Sequence, residues 1–316
     1  MKELFGTAVP IEEARAVAKA RAGEGKKPGQ NLFIILLATV AVFVINSCIT
    51  TTASILFIIA TNFSSDGIEK ALEQMKNAQY SGPVIILSLY LTVIPIILYV
   101  LYARVFEKRK ITSLGFVKKK MLPSYLLGLV LAVVLMGFAA GLCLVTGAMS
   151  IKKAEIGAGT LIMFITCWMI QGLSEEVMCR GFLMTSIARR YSVTLGVIVN
   201  SLVFAVCHLG NPGLTALAFV NLILFGVFMS LLFIRTENIW ACAACHSAWN
   251  CIQGNVLGIA VSGMPVQTVF SSTFNEKLGL LNGGAFGLEG GLSVTIALVI
   301  TITVLLIMIR KRNKKA

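Results

Sequence analysis

Residues 161–180 read LIMFITCWMIQGLSEEVMCR. An unbroken apolar run leads into two adjacent carboxylates, Glu175 and Glu176, and then into Arg180. A helix needs about 20 mostly apolar residues to cross a bilayer, and the stretch around this segment, 158–188, has the length and composition to do so. The same texture recurs along the chain, at 32–61, 83–104, 123–148, 193–210, 213–234, 238–258 and 291–310. The expected fold is therefore all-α: a polytopic membrane helix bundle of about eight transmembrane helices. Composition agrees, since 57% of the 316 residues are hydrophobic and 13% charged, far from the usage of soluble domains.

The first 31 residues are polar and basic, with Glu12, Glu13, Arg15, Lys19, Lys26 and Lys27. No cleavable leader is visible there, so the first span is expected to be an uncleaved anchor. The tail itself is expected to be a solvated arm, with a short amphipathic surface helix around 11–21 as the alternative. The remaining organisation is a single transmembrane domain over 32–310 and a basic C-terminal tail over 311–316. Gly210-Asn211-Pro212-Gly213 marks a tight turn between the fifth and sixth spans. The sizeable external segments are 62–82 and 259–290, the latter a mobile lid or a plain connector.

A net charge of +13 invites a nucleic-acid reading, but its distribution follows topology. Lys and Arg collect on the cytoplasmic side of membrane proteins. With both termini cytoplasmic, 21 of the 27 basic residues fall inside. The expected partner of this charge is the lipid bilayer, with no nucleic acid. All eight cysteines lie within expected spans, away from the aqueous loops where disulfides would form.

Charges inside the hydrocarbon region are costly and usually mark function. Within the spans they reduce to Glu175, Glu176 and Arg180 in the fourth, His208 in the fifth and His246 in the seventh. Both histidines of the chain are in this set. At about 1.5 Å of rise per residue the carboxylates and His208 reach a similar depth, and His246 and Asn250 come close to it. Glu176 and Arg180 are spaced i, i+4 and can pair along one helix face, leaving Glu175 as the less compensated carboxylate, suited to general-base work. His246 and Asn250 share the same spacing, and so do Phe204 and His208, where Phe204 is expected to pack. Cys242-Ala-Ala-Cys245-His246 imitates a haem-attachment pattern, but it lies inside an apolar span, where attachment is not expected.

Glu175-Glu176-Val-Met-Cys-Arg180, Phe204-Ala-Val-Cys-His208 and His246-Ser-Ala-Trp-Asn250 form three ordered motifs, EExxxR, FxxxH and HxxxN. This set resembles the CAAX protease and bacteriocin-processing family of intramembrane endopeptidases, over roughly 155–255, the expected catalytic core. The resemblance implies a peptide hydrolase in which Glu175 activates water with help from His208. It implies that His246 and Asn250 stabilise the oxyanion, while Glu176 and Arg180 orient and neutralise the site. A metal-free mechanism and a divalent metal such as zinc held by Glu175, His208 and His246 both stay open. The implied partner is a membrane-associated peptide or protein, prenylated or a leader peptide, and the implied location is a bacterial plasma membrane. A catalytically silent immunity or scaffold protein of the same fold, or an ion-coupled transporter, are the competing readings.

Overall fold

The computed structural model describes residues 5–24, 30–62 and 82–315. It is mostly helical, and among the described residues six helices are long and apolar enough to cross a membrane. α1 (Val9–Gly23) precedes α2 (Leu32–Asn62), α3 (Gly82–Leu91) and α4 (Val93–Val105). α3 and α4 form one span broken at Thr92, where Pro95 denies the Leu91 carbonyl its helical donor. α5 covers Met121–Val145. A second long span comprises α6 (Ala158–Glu176), a π-helical segment over Val177–Met184 and α7 (Thr185–Arg190). α8 (Val193–Val206), α9 (Ala216–Thr236), α10 (Trp240–Cys251) and α11 (Leu292–Lys315) complete the bundle.

Two of the eight expected spans fall short of membrane-crossing length. α8 has 14 residues and stops at Val206 rather than 210, because the Gly-Asn-Pro-Gly turn follows at once. Its exit tightens into i, i+3 bonds, from His208 N to Ala205 O (3.1 Å) and from Leu209 N to Val206 O (3.1 Å), so His208 sits in a turn beyond the helix. α10 runs for 12 residues and continues as a π segment over Ile252–Val256. It is buried along almost its whole length and packs chiefly against α5 and α6.

The expectation of an all-α chain needs one correction. Met149–Lys153 and Phe270–Phe274 pair as antiparallel strands β1 and β2, with Met149 opposite Phe274 and Lys153 opposite Phe270. This ladder ties the 259–290 segment to the end of α5. The segment expected over 62–82 falls on residues 63–81, outside the described residues.

Within the N-terminal tail, Val9–Gly23 is a docked helix, not a solvated arm. α1 buries Pro10, Ile11, Ala14 and Ala18, and Arg15 Nε donates to the Ala188 carbonyl at 3.2 Å. α11 runs on through the basic tail, where Arg312 donates to the carbonyls of Ile234 (3.1 Å) and Thr7 (2.8 Å). Beneath this basic end lies a buried charge cluster. Glu107 pairs with Arg109 and Arg189, each at 2.9 Å, and Arg109 also donates to Ser113, Ser186 and Thr185. Apolar side chains left exposed on α2, such as Phe33, Leu37 and Leu56, suit a lipid-facing surface.

Candidate active site

Glu175 and Glu176 occupy the last turn of α6, immediately before the π segment that carries Arg180. The two carboxylates have opposite environments. Glu176 is fully buried, and its Oε1 receives both Arg180 Nη1 at 2.9 Å and His246 Nδ1 at 2.8 Å. Arg180 is equally buried and also donates to the Gly226 carbonyl at 2.9 Å, with its guanidinium 5.4 Å from the Phe204 ring centre. The expected Glu176–Arg180 pair therefore exists, and it extends to a third helix through His246.

Glu175 keeps a 27% exposed side chain. Its Oε1 accepts a hydrogen bond from Gln171, one turn earlier on α6. Its Oε2 is buried without a hydrogen-bond partner and lies 3.5 Å from His246 Nε2. The imidazole is thus clamped between two carboxylates, one on each nitrogen. Since a carboxylate only accepts, Nδ1 carries the proton given to Glu176.

Asn250 lies one turn after His246 on α10, and its Nδ2 donates to Gln171 Oε1 at 3.0 Å. Gln171 consequently joins Asn250 to Glu175, one amide bonded to both. It escaped the sequence reading, although its i, i+4 spacing to Glu175 was the available signal.

His208 is placed differently. Its Nδ1 donates to the Phe204 carbonyl at 2.8 Å, which leaves the lone pair on Nε2. Its ring is 4.7 Å from that of Phe204, and Phe204 is in turn 5.9 Å from His246. His208 is therefore one aromatic side chain removed from the Glu175–His246 pair. Phe204 packs, as expected, but it also carries the Arg180 guanidinium on its face.

Part of this cluster borders a narrow cleft with about 60 Å³ of internal space. Gln171, Glu175, His246 and Asn250 line it, together with apolar walls that include Trp168, Phe225 and Trp249. Glu289, from the segment just before α11, lines it as well and was not singled out from the sequence.

The donor set does not fit the three-ligand metal site considered above. Among the described residues, no three His, Cys, Asp or Glu side chains gather in a way that could hold a metal ion. All eight cysteines are free, and Cys242 and Cys245 are buried inside α10.

Residues 157–252 match the family model of Type II CAAX prenyl endopeptidase Rce1-like proteins. The match runs from the residue before α6 to the residue after α10, and so spans Glu175, Glu176, Arg180, His208, His246 and Asn250. The family is one of proteases, which supports a membrane-embedded peptidase, and Glu289 lies beyond the matched segment. No curated protein matches the chain.

Proposed function

We propose that the protein is a glutamate-dependent intramembrane endopeptidase of the CAAX type, with Glu175 as the base. The observation that carries this reading is the unpartnered Oε2 of Glu175, held in a cleft 3.5 Å from His246 Nε2. Water bound at Oε2 gives it a proton while the oxygen attacks the peptide carbonyl carbon. In its doubly protonated form His246 donates at both nitrogens, Nδ1–H to Glu176 and Nε2–H to the developing oxyanion. Fixed donors at that position are what stabilises a tetrahedral intermediate. Asn250 contributes its second N–H while the first stays on Gln171. As the C–N bond breaks, Glu175 returns its proton to the leaving amine.

Glu176 and Arg180 act one step back, by fixing the His246 ring. His208 takes no direct part in the proton transfer, because it packs on Phe204, bonds to the Phe204 carbonyl and does not line the cleft. The substrate is a membrane-associated peptide segment, and a cytoplasmic placement of both termini, in a bacterial plasma membrane, accounts for the charge bias. No step passes through a metal.

Cleavage of a membrane-presented peptide library by the purified protein in detergent tests this. Wild type, Glu175→Gln and His246→Ala are compared, each with and without a chelator. Wild type is expected to cleave with or without chelator, and both variants are expected to lose cleavage while remaining folded. Equal cleavage by wild type and Glu175→Gln would remove Glu175 from the chemistry. Loss of wild-type cleavage on chelation would refute the metal-free mechanism.

A further inference from the structure

Among the described residues two carboxylates line the cleft, Glu175 and Glu289, with no lysine or arginine, and its one histidine, His246, already faces Glu175 and Glu176. Both oxygens of Glu289 accept hydrogen bonds, all from neutral groups, and Oε1 keeps a free acceptor site. Its Oε1 accepts from Trp249 Nε1 at 3.2 Å, and its Oε2 accepts from the Ser262 amide and hydroxyl, both at 2.9 Å. Its own backbone is also held, since Asn221 Nδ2 donates to the Glu289 carbonyl at 2.8 Å. Three neutral donors fix where the charge stands without neutralising it. In an apolar, partly desolvated cleft such a charge is attractive chiefly to a cation brought by a ligand.

The surroundings suit a cation further. Trp249 and Phe225 line the same cleft with ring centres 5.2 Å apart in an edge-to-face arrangement, and aromatic faces attract ammonium and guanidinium groups. Trp249 stands three residues after His246 and one before Asn250 on α10. The group that holds Glu289 is thus on the same rigid helix as the reacting residues. A cation seated there would lie at a set distance from the bond being cut.

Resting on the peptidase reading above, we infer that Glu289 selects substrates by binding a lysine or arginine side chain at one fixed position relative to the scissile bond. The same hydrogen bonds also latch the turn at Ser262 onto α10, but a latch alone is indifferent to substrate charge.

Paired membrane-presented peptides, with lysine or isosteric norleucine at successive positions, separate the two. Wild type is expected to prefer the lysine member at one position by about 10- to 100-fold in kcat/KM, the range of a hydrogen bond to a charged group. Glu289→Gln should bring that ratio close to one, and Glu289→Lys should shift preference to a glutamate peptide over its glutamine partner. A wild-type ratio near one at every position, or a ratio unchanged in Glu289→Gln, overturns the inference. So does a Glu289→Gln variant that slows lysine and norleucine peptides alike. Equilibrium binding of the same pairs to the Glu175→Gln protein reads recognition without chemistry. Preferential lysine binding there, with no cleavage by wild type, would support the cation site while sinking the endopeptidase reading.

Discussion

Replacing each of the two adjacent glutamates by glutamine should produce opposite phenotypes, one chemical and one structural. Glu175 is 27% exposed and has one hydrogen bond, from Gln171 to Oε1. A glutamine at 175 keeps that acceptor, so stability should change by less than about 1 kcal/mol. The base of the proposed mechanism, however, is gone. General-base catalysis contributes about 10²- to 10⁴-fold, or roughly 3–5 kcal/mol of barrier at 1.36 kcal/mol per tenfold, and cleavage should fall accordingly.

Glu176 is the reverse case. It is fully buried and takes Arg180 at 2.9 Å and His246 at 2.8 Å on one oxygen. Glutamine keeps an acceptor there but removes the charge, leaving the buried guanidinium without its counter-ion and with the neutral Gly226 carbonyl and Phe204 face as its other partners. Stranding one partner of a buried ion pair costs about 3–5 kcal/mol. Adding Arg180→Met removes the orphaned charge, so the double variant should be less destabilised than the two single losses combined. Unfolding by a denaturing detergent in mixed micelles, followed by the fluorescence of Trp168, Trp240 and Trp249, measures each stability. Cleavage on the same preparations measures the chemistry. Glu176→Gln within about 1 kcal/mol of wild type, or a double variant whose loss equals the sum of the singles, would refute the assignment of Glu176 and Arg180 as a coupled buried pair.

Three further outcomes follow from the packing. Gln171→Leu cuts the link between Glu175 and Asn250, and should lower kcat about 10- to 100-fold with KM little changed, as steady-state kinetics on a cleavable peptide would show. Gly172→Ala places a Cβ about 2.8 Å from the Ser247 amide, and should force α6 and α10 apart, with an overpacking cost of about 1–3 kcal/mol and loss of cleavage at unchanged expression. Arg109→Met removes one of the two arginines on buried Glu107, and should lower unfolding stability by about 3 kcal/mol, read in the same mixed-micelle titration.

What could be read from the sequence was whatever an apolar span makes conspicuous. Glu175, Glu176, Arg180 and His246 stood out because charge in a hydrophobic run is costly, and helical spacing put Asn250 beside them. Gln171 did not stand out, because a neutral amide in a span carries no such penalty signal. Glu289 was hidden for another reason: it sits in a Gly-rich polar segment where a carboxylate looks solvated. His208 was read as helical, yet Pro212 and its flanking glycines end α8 two residues before it. The π segments at Val177–Met184 and Ile252–Val256 have no hydropathy signature, since one extra residue per turn leaves an apolar run apolar. The docking of α1 was underestimated because Ile11 is the one large side chain on its buried face, the rest being Pro10, Ala14 and Ala18.

The short distance between Glu175 and His246 is set more by backbones than by side chains. α10 is wedged between α5 and α6, and a glycine faces it from each. A Cβ on Gly128 of α5 would stand 2.9 Å from the Cys245 amide, and one on Gly172 of α6 would stand 2.8 Å from the Ser247 amide. Cys245 and Ser247 are the two neighbours of His246. The helix that carries the histidine is thus approached closely on both flanks, at Ala241–Cys245 and at Ser247, as small residues permit between membrane helices. Gly172 is also next to Gln171 and three residues before Glu175, so the same contact fixes the carboxylate against the imidazole. Under the proposed mechanism, donors fixed on helices in this way would spend little reorganisation on an oxyanion.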